Sequence, residues 1–169
     1  MKKVLRLFPF DKNFARLFAK EKNRLTKILG EKIAIEHVGS TAVDGLSGKG
    51  IIDIAVGVAK KSDLRPTADI LAKSGYFFDL DNETPDDRIF LASREHDSTL
   101  GDYHLHVVVK NGDEWKRFIF FRDQLRASKK LREEYMNLKE KLFRETGANR
   151  EKYKKLKNKF IEDTLEDKK

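Results

Sequence analysis

Ile33-Ala34-Ile35-Glu36-His37-Val38-Gly39-Ser40-Thr41, followed after seven residues by Lys49-Gly50-Ile51-Ile52-Asp53-Ile54-Ala55-Val56-Gly57-Val58, is the stretch that decides the fold. Ile33 to Val38 reads as a short strand. Ile51 to Val58 reads as a buried strand, β-branched and nearly all apolar. Gly39 to Gly50 between them is punctuated by Gly and Ser, and a short helical turn fits after Ser40. Asp53 alone breaks the apolar run, and an acid there is costly to bury unless it is paired or binds a cation.

Outward from this core the pattern stays regular. Asp11 to about Leu29 predicts a helix, with Asp11 as N-cap, an apolar stripe from Phe14 to Leu29, and Gly30 as the stop. Ser62 or Asp63 would cap a second helix running to about Ser74, with Pro66 tolerated near its first turn. Strands are expected at Tyr76–Leu80, Arg88–Ser93 and Tyr103–Val109, with a turn over Asp81–Asp87. From Asp113 onward the period is helical, in three stripes, the last two separated by Gly147-Ala148-Asn149. The expected architecture is α+β: a mixed sheet flanked by helices, in one domain over residues 1–169, with a helical C-terminal part at about 113–165.

Composition narrows the function classes. The 169 residues contain no Cys, which excludes disulfides, thiolate metal sites and cysteine nucleophiles. A reducing, cytoplasmic setting fits that composition. No apolar run approaches the roughly 20 residues of a membrane helix, so no membrane partner is expected. The opening Met1-Lys2-Lys3-Val4-Leu5 starts like a signal peptide, but Arg6 and Pro9 interrupt the apolar region, so no export signal is expected. The net charge of +8 is concentrated in residues 110–169, which hold 19 Lys and Arg against 12 Asp and Glu. Such a surface can steer phosphates, nucleotides or RNA. The interspersed acids equally describe a solvated helical face.

Four constellations can carry chemistry. Gly39-Ser40-Thr41, after a strand, can offer backbone N–H groups and two hydroxyls to a phosphate. It can also be an ordinary glycine turn with a serine cap. Asp53 can present a carboxylate to Mg²⁺ or Mn²⁺, or sit in a buried ion pair, for instance with Lys49. His104 and His106, two apart on a strand, share a face, where they can act as acid–base groups or join Asp53 in holding a metal; His37 is a further ligand only if the fold brings it close. In Phe121-Arg122-Asp123-Gln124-Leu125-Arg126 the two arginines stand one helical turn apart. They can fork a phosphate or form helix salt bridges.

These motifs together resemble those of the GrpB family. The resemblance lies in Glu36-His37-Val38-Gly39-Ser40-Thr41-Ala42-Val43-Asp44-Gly45-Leu46, Lys49 to Ile54, His104-Leu105-His106-Val107-Val108, Phe121 to Arg126 with Tyr135 and Lys139 after it, and Tyr153…Lys157…Phe160-Ile161. They follow the family's order across nearly the whole chain. GrpB proteins resemble the nucleotidyltransferase superfamily whose fold is named for DNA polymerase β. The resemblance implies that Gly39 and Ser40 bind a nucleotide's phosphates and that Asp53 is the first metal carboxylate. In that superfamily a second acid lies two residues on, and here that position is Ala55. A third acid comes from a later strand, where this chain has His104 and His106. Asp44 and Gly50 also stand where Pro is expected in relatives. They loosen the backbone without removing a catalytic group.

Three functions are compatible with these residues. The first is metal-dependent nucleotidyl transfer from a nucleoside triphosphate to an unknown acceptor. Gly39, Ser40 and Thr41 would cradle phosphates, Lys49, Arg88, Arg122 and Arg126 would neutralise them, and Asp53, His104 and His106 would hold Mg²⁺ or Mn²⁺ or move a proton. The second is a non-catalytic module that binds a nucleotide or another phosphorylated small molecule. The third, least supported, is an RNA-binding or assembly protein that uses its basic helices.

Overall fold

A computed structural model describes residues 6–79, 84–95, 98–147 and 149–167. Among these residues five strands form one mixed sheet: β1 (Ala34–Val38), β2 (Ile52–Val58), β3 (Phe77–Phe78), β4 (Arg88–Ala92) and β5 (Tyr103–Val109), in the order β1-β2-β5-β4-β3. Only β2 and β5, the two apolar central strands, run parallel. The other pairs are antiparallel.

The sheet has helices on both sides, as its two apolar faces require. Helices α1 (Asn13–Leu29) and α2 (Leu64–Lys73) cover one face. Ile52, Ile54 and Val56 of β2 and Leu105 and Val107 of β5 point to that side, in one cluster with Phe14, Leu25, Leu64 and Leu71. Helix α3 (Asp113–Ala127) lies on the other face, where Trp115 packs with Val38, Ala55 and Val108. Helices α4 (Lys129–Thr146) and α5 (Arg150–Glu166) extend this second layer. Phe121 and Leu125 of α3 meet Tyr135 of α4, Phe160 of α5, and Val43 and Leu46 of the loop after β1 in a further cluster.

Several expectations shift at their edges. Helix α1 starts at Asn13, and the Asp11 carboxylate caps it by accepting the Asn13 N–H at 2.8 Å. Neither Ser62 nor Asp63 caps α2 through its side chain; Lys61–Asp63 is instead a 3-10 turn that runs into the helix. The strand expected at Tyr76–Leu80 is Phe77–Phe78. Tyr76 turns inward, where Glu21 and Arg24 of α1 bind its hydroxyl. Leu80 and the first three residues of the expected turn, 81–83, lie outside the described residues, as does Ala148. Ser128 separates α3 from α4 and caps α4 by accepting the Leu131 N–H. Among the described residues no helix is long and apolar enough to cross a membrane.

Candidate functional site

The pairing of β2 with β5 builds the site. Asp53 stands beside His104, and Ala55 beside His106, with the side chains of each pair on one face. Phe90 of β4 pairs with His106, extending that face. The Asp53 Oδ1 atom faces His106 Nε2 at 3.2 Å and His104 Nδ1 at 3.6 Å. The far nitrogen of His104, Nε2, lies 3.0 Å from Ser98 Oγ. Burial works against the Asp53 anion, but the two imidazoles outweigh it and hold the carboxyl well below the ordinary range. Burial in turn lowers the His106 pKa, which its bond to Asp53 only partly restores. The side chain of Asp53 remains 28% exposed, so the carboxylate meets the space above the sheet.

That space is a cavity of about 500 Å³, within the size range of small-molecule sites. Its floor is Ile51, Asp53, Arg88, Phe90, His104 and His106. Gly39, Ser40, Gly48 and Lys49 form its rim. Arg117, Phe118 and Phe121 of α3, Tyr135 and Lys139 of α4, and Tyr153, Lys154, Lys157 and Asn158 of α5 form its walls. Asp79, Glu151 and Ile161 also line it, so among the described residues six basic side chains face three acidic ones. Gly39 is confined between strand and carboxylate. Its φ is +73°, and a Cβ on it would lie 2.7 Å from Asp53 Oδ2. Only glycine fits there. A Cβ on Gly48 would strike Ser40 Oγ, so the turn and the later part of the loop are in contact.

Of the residues expected to meet phosphate, the structure brings Gly39, Ser40, Lys49 and Arg88 to the cavity, together with Asp53, His104 and His106. Lys49 also lies over the Tyr153 ring, and Arg88 donates to Glu114 at 2.7 Å. Thr41, Arg122 and Arg126 are not brought there. The Thr41 hydroxyl is buried, donates to the Ile51 carbonyl and takes a bond from His37 Nε2 at 2.9 Å. Arg122 binds Glu36, Asp123 and the His37 carbonyl. Arg126 donates through Nε and Nη2 to the Ala42 carbonyl. The two arginines therefore grip the backbone on either side of the Gly39-Ser40-Thr41 turn and set its position. Asp44 lies with Arg126 and Arg132 in a separate shallow depression.

His37 is not a partner of Asp53's histidines. It sits on the α1 side, stacked on Phe18 with ring centroids 4.6 Å apart. Burial lowers its pKa to about 4, with Arg126 and Arg122 adding to the effect and Asp53 opposing it. The unfolded chain therefore binds the extra proton first. Stability from neutral His37 is complete above the free imidazole's pKa of about 6.5 and is lost as pH falls toward 4. We expect the urea midpoint to fall between pH 6.5 and 5, and His37→Gln to flatten that fall; an unchanged slope in the variant would contradict the assignment.

The sequence reading missed Lys139, Arg117, Lys154 and Lys157 as site residues. Its one signal was the repeated aromatic-then-basic spacing, Tyr135/Lys139 and Tyr153/Lys157, which puts a ring and an amine on one helix face.

The donor set does not suit a pair of Mg²⁺ ions, which require hard oxygen ligands. Asp53 is one carboxylate beside two imidazoles, and Ala55, at the second acid's position, is buried in the apolar cluster with Trp115. Among the described residues no three His, Asp or Glu side chains are grouped to hold a metal ion.

The sequence profile of the GrpB protein family matches residues 4–167, all but the ends of the chain. The chain belongs to the GrpB family. The glutamate-rich protein GrpB of Alkalihalophilus pseudofirmus is 33% identical over 161 residues, covering 94% of this chain and 92% of that protein. A UPF0157 protein of Halalkalibacterium halodurans is 32% identical, covering 94% of this chain and 80% of that protein. The crystal structure of the conserved protein GrpB from Enterococcus faecalis has the same fold. Its TM-score is 0.75 at 24% identity, over 95% of this chain and 99% of that one. The GrpB fold is nucleotidyltransferase-like, and this chain's mixed sheet with helices on both faces matches it.

Proposed function

We propose that this GrpB protein binds a nucleoside triphosphate, or another phosphorylated small molecule, through its phosphates in the cavity above Asp53. The observation that carries this reading is convergence. Basic side chains from the rim loop, β4, α3, α4 and α5 meet the Gly39-Ser40 turn around one nucleotide-sized space. Phe90, Phe118, Phe121, Tyr135 and Tyr153 supply apolar wall for a base or another flat group. With one carboxylate and Ala55 in place of the second, holding the ligand fits the residues better than transferring part of it. Mg²⁺ or Mn²⁺ enters this reading only as the counter-ion of the bound phosphates.

One observation favours a second reading, nucleotidyl transfer. A carboxylate repels phosphate, so a site that only binds anions has no need of Asp53 on its floor. The two readings differ in the sign of one substitution. ATP titrated calorimetrically, with and without Mg²⁺ or Mn²⁺, should bind the wild type, and Asp53→Ala should tighten binding several-fold by removing like charge. If Asp53→Ala abolishes a metal-dependent binding, and pyrophosphate is released from ATP only by the wild type, the transfer reading holds instead. If ATP at millimolar concentration binds neither protein, the ligand is no nucleoside triphosphate and the transfer reading is wrong.

A further inference from the structure

We infer that Lys139 is the residue that meets the ligand's anionic group beside Ser40, and that it takes up a proton as that group binds; this rests on the phosphate reading above. Lys139 projects from α4 into the cavity wall with only 3% of its surface exposed. Its Nζ donates to the Ser47 carbonyl. The same atom lies 4.7 Å from the centroid of the Tyr135 ring. It would lie 3.8 Å from a Cβ on Gly48, the same Cβ that would strike Ser40 Oγ. Amine and hydroxyl thus flank one glycine, at the point where the turn opens into the cavity. Gly48 is held in place by paired backbone hydrogen bonds with Phe8.

No carboxylate pairs with Lys139 among the described residues. Lys157 on α5 and Glu140 on α4 act on its charge and Tyr135 lies beside it, while Tyr153, Glu151 and Lys154 on α5, Lys49 on the rim and Asp53 on the floor line the same cavity. Burial, with Lys157 adding to it and Glu140 opposing it, lowers the Lys139 pKa to about 7. A buried amine of this kind is costly to charge until an anion arrives. A phosphate oxygen beside it supplies the missing counter-charge, so binding and protonation are linked. Each favours the other, and affinity must fall as pH rises above 7.

The test is calorimetric titration of the full chain with ATP, without metal, from pH 7.5 to 9, in two buffers of different ionisation enthalpy. The terminal phosphate is already ionised across this range, so proton uptake reports the protein. We expect uptake approaching one proton per ATP near pH 8 and a loss of affinity of about tenfold per pH unit. Lys139→Arg keeps the charge at every pH and should bind ATP with little pH dependence. Lys139→Met should bind weakly throughout. A purely structural lysine would leave proton uptake at zero and the Lys139→Arg slope unchanged. Wild-type binding without proton uptake, or Lys139→Met binding as tightly as wild type, overturns the inference and leaves the phosphate reading standing. Absence of ATP binding to the wild type at every pH overturns the nucleoside triphosphate reading, and this inference with it. Loss of the uptake in Lys139→Arg, or in Lys139→Met should the arginine variant fail to fold, assigns the proton to this lysine; uptake that persists in the variants belongs to the cavity's histidines and overturns the inference.

Discussion

Gly39→Ala is expected to lower stability by about 3 kcal/mol and to abolish ATP binding in the same protein. Two costs combine. At φ +73° and ψ −172°, Gly39 occupies backbone space that is essentially closed to other residues, which costs of order 1–3 kcal/mol. The new methyl would also sit 2.7 Å from Asp53 Oδ2 and 3.1 Å from Asp53 Cβ. Asp53 cannot retreat freely, because His104 and His106 hold its Oδ1 from β5. Relief must come from the turn, and moving the turn carries Ser40 out of the cavity. Urea denaturation and ATP titration on one preparation test this. Asp53→Ala in the Gly39→Ala background removes the contact but not the backbone strain, so it should restore only part of the lost stability. A Gly39→Ala protein with an unchanged midpoint would show that the turn adapts and that Gly39 does not fix the site.

Legibility in the sequence followed the range of the interaction. Alternation and β-branching place Tyr103–Val109 as a strand with the bounds the structure has. Period two puts His104 and His106 on one face. That Asp53 shares this face depends on the parallel register of β2 against β5, which joins segments some 50 residues apart and leaves no local mark. The strand expected from Tyr76 begins at Phe77 for a related reason. Tyr76 has strand propensity but is drawn inward by Glu21 and Arg24, which are remote in sequence.

The basic side chains show the same limit from the other direction. In a chain with 36 Lys and Arg, a buried lysine looks like any surface lysine. Nothing in the run Asn137-Leu138-Lys139-Glu140 distinguishes Lys139, which is 3% exposed, from Lys141, whose side chain is 65% exposed. The spacing from Tyr135 is its one mark in the sequence, and that mark gains its meaning only when α4 and α5 pack against the rim loop. Arg122 and Arg126 are equally visible, and of the two readings open to them, a phosphate fork or helix salt bridges, the structure shows salt bridges to Asp123. One turn apart on a helix, two guanidiniums are equipped to fork a phosphate, but in the fold backbone carbonyls reach them first.

Arg122→Ala should therefore cost stability rather than affinity alone, by about 3 kcal/mol. The Arg122 side chain is 10% exposed and fills three acceptors: Glu36 Oε2 at 2.7 Å, the His37 carbonyl at 3.0 Å and Asp123 Oδ1 at 2.8 Å. Truncation leaves the carbonyl without its charged donor in a buried place, which is the main loss. Glu36 and Asp123 are 43% and 51% exposed and regain water, which keeps the loss below that of a fully buried pair. Arg122→Lys restores the charge but not the fork, so it should recover less than half. Arg126→Ala is the comparison. That side chain is 48% exposed, donates to one carbonyl and stands 4.0 Å from the exposed Asp123 carboxylate, so about 1 kcal/mol is expected. A phosphate-binding Arg122 would behave in the opposite way, with ATP affinity falling at an unchanged urea midpoint. That result would return the arginine to the ligand and require the α3 face to open toward the cavity when the ligand binds.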